Sequence, residues 1–148
     1  MSEHCLSFTV LGEPVGKARP RVARFGTYTP EVTVLYENLV KMEYRRQCGD
    51  KTFRNDMPLL LEVDAFYMIP ISTSKKKRAM MLDSEIRPMK KPDWDNIGKI
   101  ISDALNKIAY RDDAQIVECR ITKHYAVNPR VMVRLTDVSR TKGEQPWK

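Results

Sequence analysis

Alternation of apolar and polar residues marks four strands along the chain. In each run every second residue is apolar, so one face of the strand is predicted to be buried while the other meets solvent. The runs are residues 6–10, 59–69, 117–121 and 131–135. Asn128 and Pro129 form a turn between the last two runs, and this turn predicts that those two strands pair with each other.

Helical spacing of apolar residues marks a helix between two punctuating residues. Thr29 offers a capping hydroxyl, and Pro30 suits the first helical position because its missing N–H costs nothing there. Gly49 favours a stop. The face predicted to be buried consists of Val32, Leu35, Tyr36, Leu39 and Met42.

Two more helices are predicted downstream, and they complete an α+β fold. Ser72 or Ser74 can cap a short basic helix, followed by a loop at residues 83–91. A stronger helix begins after Pro92 and ends near Asn106. Its apolar face consists of Ile97, Ile100, Ile101, Ala104, Leu105 and Ile108. We expect one domain at residues 1–138, with a mixed β-sheet packed against a few helices, and a polar tail at residues 139–148.

Composition narrows the class of protein. The chain has 148 residues, a formal net charge of +7 and a pI of about 9.4, which favours a polyanionic partner such as nucleic acid. Cys5, Cys48 and Cys119 are widely spaced and form no CxxC pair, which indicates free thiols rather than disulfides or a zinc site. The sequence shows no signal peptide and no apolar run long enough to span a membrane, so the expected location is the cytoplasm.

Two aspartates flank a tryptophan in the segment KKPDWDN, at the start of the stronger helix. Asp93 and Asp95 lie two residues apart, where an extended backbone projects both carboxylates to the same side. Lys99 follows Asp95 by about one helical turn and points with it. Asp95 and Lys99 fall opposite the apolar face of the helix, so they can face a substrate.

The chain returns through a second acidic pair, Asp112 and Asp113. A strand that leaves this turn can run back beside the start of the helix and bring a third carboxylate to the first two. Such a cluster, with no histidine or cysteine nearby, suits a hard cation, Mg²⁺ or Mn²⁺. A metal there can activate water and stabilise charge on a transferring phosphoryl group, and a lysine in the cluster can steady the same charge.

Each of these residues also has an ordinary structural interpretation. Asp93 or Asp95 can cap the helix and favour its positive end. The second acidic pair can consist of turn residues. Lys99 can be a solvated lysine paired at i,i+4 with Asp95 or Asp103. The arrangement as a whole favours a metal site over these separate roles.

The motifs in this region resemble those of the RusA-type Holliday junction resolvases, enzymes encoded mostly by phages and prophages. The family pattern is KPDxDN, a lysine in the next turn, DALN, and then DDxQI with a basic strand. This sequence has PDWDNIGKIISDALN followed by YRDDAQIVECRITKHY, and the stretches PVGKARPRV and SKKKR also resemble family members. Gly98 and DALNK in place of DALNG are departures, and neither removes a metal-ligand candidate.

The resemblance implies a homodimeric, Mg²⁺-dependent endonuclease that nicks four-way DNA junctions in paired strands. Asp93, Asp95 and Asp113 match the metal-binding aspartates of the family, and Lys99 matches an essential lysine. Asp112 matches a neighbouring acidic position whose role is open.

Two basic clusters are predicted to contact the DNA. The first lies in a loop that can form a short hairpin at Gly26, where Phe25 and Tyr28 are interleaved with the cations. Either cluster alone is compatible with a solvated charged face, but beside a nuclease site phosphate binding is favoured. The clusters are Lys17, Arg19, Arg21 and Arg24 in the loop, and Lys75, Lys76, Lys77 and Arg78 in the short helix.

Three other functions remain open from the sequence. The same scaffold can serve a nuclease that acts on flaps or forks, or a catalytically silent DNA-binding protein. It can also serve a structural or interaction protein, for example in phage assembly. Cleavage of synthetic junctions with Mg²⁺ separates a resolvase from the silent protein, and cut rates on junction, flap and linear duplex separate it from the flap or fork nuclease. The third alternative predicts no salt-sensitive binding to DNA.

Overall fold

A computed structural model describes residues 5–139, which form six strands and three α-helices. The predicted polar tail lies outside the described residues apart from Ser139. A single 3₁₀ turn, Asp113–Gln115, precedes the fifth strand. In chain order the elements are β1 (Cys5–Leu11), β2 (Arg21–Ala23), β3 (Gly26–Tyr28), α1 (Glu31–Cys48), β4 (Leu59–Met68), α2 (Lys75–Leu82), α3 (Trp94–Leu105), β5 (Ile116–Ala126) and β6 (Arg130–Asp137).

Four of the strands form one mixed sheet in the order β1–β6–β4–β5. β4 is parallel to β5 and antiparallel to β6, and β6 is antiparallel to β1. The prediction that the strands on either side of Asn128 and Pro129 pair with each other is wrong, because β4 lies between them. Alternation determines which face of a strand is buried, but it does not determine which strand lies next to it. The α+β class is confirmed.

Helix α1 begins and ends within one residue of the predicted positions. Pro30, rather than Thr29, occupies the N-cap position, and no side chain caps this end. Gly49 occupies the C-cap position, where its backbone N–H donates to the carbonyl of Arg45 at 3.0 Å. The proline and glycine signals therefore bounded this helix correctly.

The buried face of α1 differs from the predicted one. Of the predicted stripe only Tyr36 is buried; Leu39 is half-buried, and Val32, Leu35 and Met42 are exposed. Two stripes of this helix have helical spacing, and contact with β1 and α3 selects the one that is buried. The buried residues are Thr33, Tyr36, Val40, Tyr44 and Cys48.

Helix α3 buries the face that the sequence predicts, against α1 and β5. The helix ends at Leu105, so Ile108 lies in the following turn, where it packs partly buried against the core. Gly98 is buried, and a Cβ there would lie 3.3 Å from Cδ1 of Ile121 on β5. Glycine, a poor helix former, thus allows α3 to approach the sheet closely. The buried residues of α3 are Ile97, Gly98, Ile100, Ile101, Ala104 and Leu105.

Helix α2 begins at one of the two predicted caps. The Oγ of Ser74 accepts a hydrogen bond from the backbone N–H of Lys77 at 3.3 Å. Residues 83–91 form a loop, as predicted, and the cysteines are free thiols. No helix between residues 5 and 139 is long and apolar enough to cross a membrane.

Candidate active site

Asp93 and Asp95 lie at the start of α3 with exposed side chains. Asp93 is the N-cap residue, yet its carboxylate makes no capping hydrogen bond within the described chain, so the capping interpretation does not hold for it. The Tyr67 hydroxyl donates to the carbonyl of Pro92 at 2.9 Å and holds the chain just before Asp93. Burial raises the pKa of Tyr67 to about 12, with the charges of Glu13 and Asp93 adding to the effect, so this hydroxyl remains a donor at neutral pH.

Asp112 and Asp113 have different roles. Oδ2 of Asp112 accepts a hydrogen bond from the N–H of Ala114 at 3.3 Å, and the Gln115 side chain accepts from the N–H of Asp112 at 3.3 Å. This capping box holds the 3₁₀ turn, and Nε2 of Gln115 ties the turn to the carbonyl of Arg54 at 2.9 Å. Asp112 therefore serves the turn, and Asp113 is the member of the pair that faces the cleft described next.

Asp95, Lys99 and Asp113 line one cleft of about 280 Å³ between α3 and β5. The start of the helix and the returning turn converge here, as predicted. Trp94, which the sequence analysis did not single out, adds an indole side chain, and the residue is 64% exposed. Asp93 is not among the residues that line the cleft, so two of the three predicted metal-binding aspartates share it. The remaining wall consists of Leu61, Gly98, Ser102, Ile116, Cys119 and Ile121.

A thiol also lines this cleft, against the expectation that no cysteine lies near the carboxylates. Strand β5 carries Cys119 past α3, which brings its side chain to the same wall as Asp95 and Asp113. Burial raises the pKa of the Cys119 thiol, so the group is protonated at neutral pH. A protonated thiol is a poor ligand for a hard cation.

The side chains in the cleft fit a hard cation in their chemistry. Among residues 5–139 no three histidine, cysteine, aspartate or glutamate side chains come together as a metal-binding group. The groups that face the cleft are nevertheless two carboxylates from separate elements, Asp95 and Asp113. Mg²⁺ keeps several waters and is often held by one or two carboxylates. The donor set thus suits Mg²⁺ or Mn²⁺, and Asp93 as a third ligand stays a prediction.

Lys99 belongs to a chain of ion pairs that leads away from the cleft. Its Nζ lies 3.3 Å from Oδ1 of Asp103, which is one of the two predicted i,i+4 pairings. Oδ2 of Asp103 lies 3.2 Å from Nζ of Lys17, which also binds Oε2 of Glu37 at 2.7 Å. Partial burial disfavours the charge of Lys17, but the hydrogen bonds and charges of Glu37 and Asp103 outweigh it and raise its pKa. Lys99 itself keeps 58% of its side chain exposed.

Lys17 lies between two carboxylates, although the sequence assigned it to the DNA-binding cluster. Its backbone N–H donates to the carbonyl of Asn96 at 2.8 Å. A Cβ on Gly16 would lie 2.7 Å from Cβ of Pro92, so glycine lets this segment rest directly on the start of α3. Lys17 and Gly16 therefore anchor the basic loop beside Asp93 and Asp95.

The other predicted DNA-binding cations are less constrained. Arg21 lies on β2 and Arg24 at the turn of the β2–β3 hairpin, where the Arg24 guanidinium lies 5.7 Å from the centroid of the Phe25 ring. Phe25 is 95% exposed at the turn of the hairpin. None of these cations forms an ion pair with a carboxylate among residues 5–139. Arg19, Arg21, Arg24, Lys75, Lys76 and Lys77 are exposed, and Arg78 is half-buried.

A further group of cations lies beside Asp93, and the sequence analysis did not predict that these cations come together. Nζ of Lys90 lies 5.7 Å from the ring centroid of Tyr67 and 5.8 Å from that of Tyr125. Nζ of Lys123 lies 5.3 Å from the Tyr67 ring, and Nε of Arg87 donates to the carbonyl of Lys123 at 2.9 Å. Within the described chain these three cations meet aromatic rings and carbonyls rather than carboxylates. The sequence shows the basic residues, but only the fold brings the loop before α3 onto β5.

Comparison with known proteins agrees with this geometry. The protein belongs to the endodeoxyribonucleases, because residues 12–136 match the family model described as endodeoxyribonuclease RusA. The chain is also 33% identical over 141 residues to the uncharacterized protein YqaN of Bacillus subtilis strain 168, an alignment that covers 91% of this chain and 98% of that relative. The chain is therefore a member of the RusA family, which implies endodeoxyribonuclease activity and confirms the resemblance drawn from its motifs.

Proposed function

We propose that this protein resolves four-way DNA junctions by paired nicks, as a divalent-metal-dependent endodeoxyribonuclease. The observation that carries the proposal is the cleft in which Asp95, Lys99 and Asp113 meet. These side chains come from two separate elements, α3 and the turn before β5. Family membership supports the same activity.

Each residue of the cleft has a proposed role. Asp93, Asp95 and Asp113 would hold Mg²⁺ or Mn²⁺, which when bound supplies Lewis-acid activation of a water and of the phosphodiester. Lys99 is a cation that can position a phosphate oxygen and stabilise its developing charge. Trp94 offers an exposed ring against which a sugar or base can pack.

The DNA path is proposed to follow cations that have no carboxylate partner in the described chain. The β2–β3 hairpin and the start of α2 offer the two clusters assigned from the sequence, and Lys90, Lys123 and Arg87 add a third beside Asp93. Lys17 is excepted, because Glu37 and Asp103 already neutralise it. Each unpaired cation that meets a phosphate releases counterions, which supports salt-sensitive binding.

The working unit is proposed to be a two-fold symmetric homodimer in the cytoplasm. The described residues of one chain form the acidic cleft of Asp95 and Asp113, whereas resolving a four-way junction needs two nicks in opposing strands. Two copies related by a two-fold axis match the near-symmetry of the junction and supply one cleft for each strand. Central strand β4 offers no free edge for pairing, because β6 and β5 occupy both of its sides.

A cleavage assay tests the proposed function. Synthetic junction, flap and linear duplex substrates are incubated with the protein in Mg²⁺, Mn²⁺, Ca²⁺ or excess EDTA. We expect paired nicks in the junction with Mg²⁺ or Mn²⁺, Ca²⁺ that supports binding more than cleavage, and no cleavage in EDTA. Faster cutting of flaps would indicate a flap nuclease, binding without cleavage a silent DNA-binding protein, and no salt-sensitive binding an interaction protein.

A further inference from the structure

The β2–β3 hairpin presents apolar side chains to solvent on a very short scaffold. Val22 is 85% exposed, Phe25 95% and Tyr28 51%. The two strands have three residues each and form a sheet of their own, and every residue from 19 to 29 is exposed. The rest of the described chain therefore covers neither face of the hairpin. A two-stranded hairpin by itself is marginally stable in water, so these apolar side chains favour a partner from outside the chain.

Phe25 lies at the tip of this hairpin. Ala23 pairs with Gly26, so Arg24 and Phe25 form the whole turn between the strands. Gly26 has a φ of +129°, a conformation that glycine adopts without strain and that lets the strands join through two residues. The Arg24 guanidinium lies beside the Phe25 ring, so the tip combines a flat apolar surface with a cation.

The charge of the hairpin selects a polyanionic partner. No aspartate or glutamate lies between Glu13 and Glu31 in the sequence. The same stretch carries three exposed arginines, Arg19, Arg21 and Arg24. Aromatic rings interleaved with cations form the kind of surface that binds unstacked nucleic acid, because the rings stack on bases while the cations meet phosphates. The partner that this hairpin fits is therefore DNA with an open base face.

The base of the hairpin is held beside the cleft. The backbone N–H of Lys17 donates to the carbonyl of Asn96 on α3 at 2.8 Å, and that of Ala18 donates to Oγ1 of Thr33 on α1 at 3.3 Å. An extended strand rises about 3.3 Å per residue, so it places the ring of Phe25 at most roughly 26 Å from Lys17. DNA covers that distance in roughly eight nucleotides, at about 3.4 Å each. The tip can thus meet DNA within a few base pairs of a phosphate in the cleft.

We propose that Phe25 stacks on a base that is open at the branch point of the junction, and that this contact distinguishes a branch from a continuous duplex. The proposal rests on the proposed function and assigns to it a specificity-determining residue. In a continuous duplex every base is stacked on both faces, so the ring reaches a base face only after a base step is unstacked, which costs free energy. At a branch point the strands leave the stack, and a base face is open without that cost.

Binding to a four-way junction and to a duplex of the same length, both in Ca²⁺, tests the role of Phe25 separately from cleavage. Phe25→Ala should raise the Kd for the junction roughly 5- to 150-fold, the effect of losing one base–aromatic stack, and should leave the Kd for the duplex within about twofold. Phe25→Trp keeps an aromatic ring and should keep the wild-type preference for the junction. Leu11→Ala, at a position that is 74% exposed on edge strand β1, is the matched control and should change neither Kd.

Junctions with abasic nucleotides at the branch point test the contact itself. Because the stacking partner is missing, the wild type should bind this junction as weakly as Phe25→Ala binds the intact one, and Phe25→Ala should lose nothing further. The salt slope of junction binding should be equal for the wild type and Phe25→Ala, since a phenylalanine releases no counterions. A lower slope would show that the hairpin has collapsed and moved Arg21 and Arg24, and the wild type on the abasic junction then decides.

An unchanged preference of Phe25→Ala for the junction would overturn the proposal, as would a further loss on the abasic junction. An unchanged preference together with weaker binding to vesicles of anionic phosphatidylglycerol would assign the tip to a lipid surface instead. A wild type that prefers the junction but cuts neither substrate would contradict the proposed function and not the stacking contact. A wild type that cuts the junction while Phe25→Ala keeps its preference would contradict the contact alone.

Discussion

Replacing Lys17 with methionine removes one ammonium group and keeps most of the aliphatic side chain. In the wild type this ammonium lies 2.7 Å from Oε2 of Glu37 and 3.2 Å from Oδ2 of Asp103. The three side chains are 16–23% exposed, so solvent screens them only in part. The variant leaves two carboxylates facing each other without the cation between them.

The two contacts of the ammonium group indicate how much Lys17→Met lowers the free energy of unfolding. A hydrogen bond to a charged group contributes about 1.5–3 kcal/mol to the free energy of unfolding, and the second, partly exposed pair adds up to about 1 kcal/mol. We therefore expect Lys17→Met to lower the free energy of unfolding by roughly 2–4 kcal/mol. In a domain of this size that lowers the thermal midpoint by roughly 4–16 °C. The pKa of Lys17 is raised above its ordinary value of 10.5, so its contribution is fully present below that pH and is lost as the pH rises through the folded-state pKa.

Thermal unfolding and salt-dependent DNA binding together test this account. Lys17→Met should lower the midpoint at pH 7, with a difference from wild type that shrinks once the pH exceeds 10.5. It should leave the salt slope of junction binding unchanged. Arg24→Ala is the matched control. Removal of this exposed cation should make the salt slope of junction binding less steep by about 0.9 and should leave the thermal midpoint unchanged. An unchanged midpoint for Lys17→Met, together with a slope reduced as in the control, would refute the anchoring role and return Lys17 to the DNA-binding cluster.

Three further predictions concern the cleft and its surroundings. Asp95→Asn and Asp113→Asn should each lower single-turnover cleavage by about a thousandfold or more while junction binding persists or tightens; a near wild-type rate would remove the role of that residue. Lys99→Ala should lower the rate by roughly a hundredfold and change stability by only about 0.5 kcal/mol, and a marked fall in the thermal midpoint with intact cleavage would mean that the lysine is structural. Lys90→Ala combined with Lys123→Ala should lower the salt slope of junction binding by about 0.9 for each phosphate that these lysines neutralise, whereas an unchanged slope would exclude both cations from the DNA path.

Features that depend on neighbouring residues in the chain were predicted well. Pro30 and Gly49 bounded α1, Ser74 capped α2, and the apolar period of α3 identified its buried face. The motif KPDWDN placed Asp93 and Asp95 at the start of that helix. These signals are local, because caps and periodicity act within one or two turns of the backbone.

The candidate site was predictable in part for the same reason. Asp95 and Lys99 are one turn apart on α3, so their shared face follows from helical geometry. The return of Asp113 to that face was a topological expectation, which the cleft bears out. The entry of Cys119 into the same wall depends on how closely β5 passes Gly98, and a spacing rule does not reveal that distance.

What the sequence by itself determined were the elements, the proline and glycine that bound α1, the family motifs and the basic character of the chain. Tertiary structure decided which of the two apolar stripes of α1 is buried, where β6 lies in the sheet, and that Lys17 meets Glu37 and Asp103. These outcomes share one physical reason. Each is a choice between arrangements that satisfy the local pattern equally well, and only contacts between residues far apart in the chain make one of them lower in free energy.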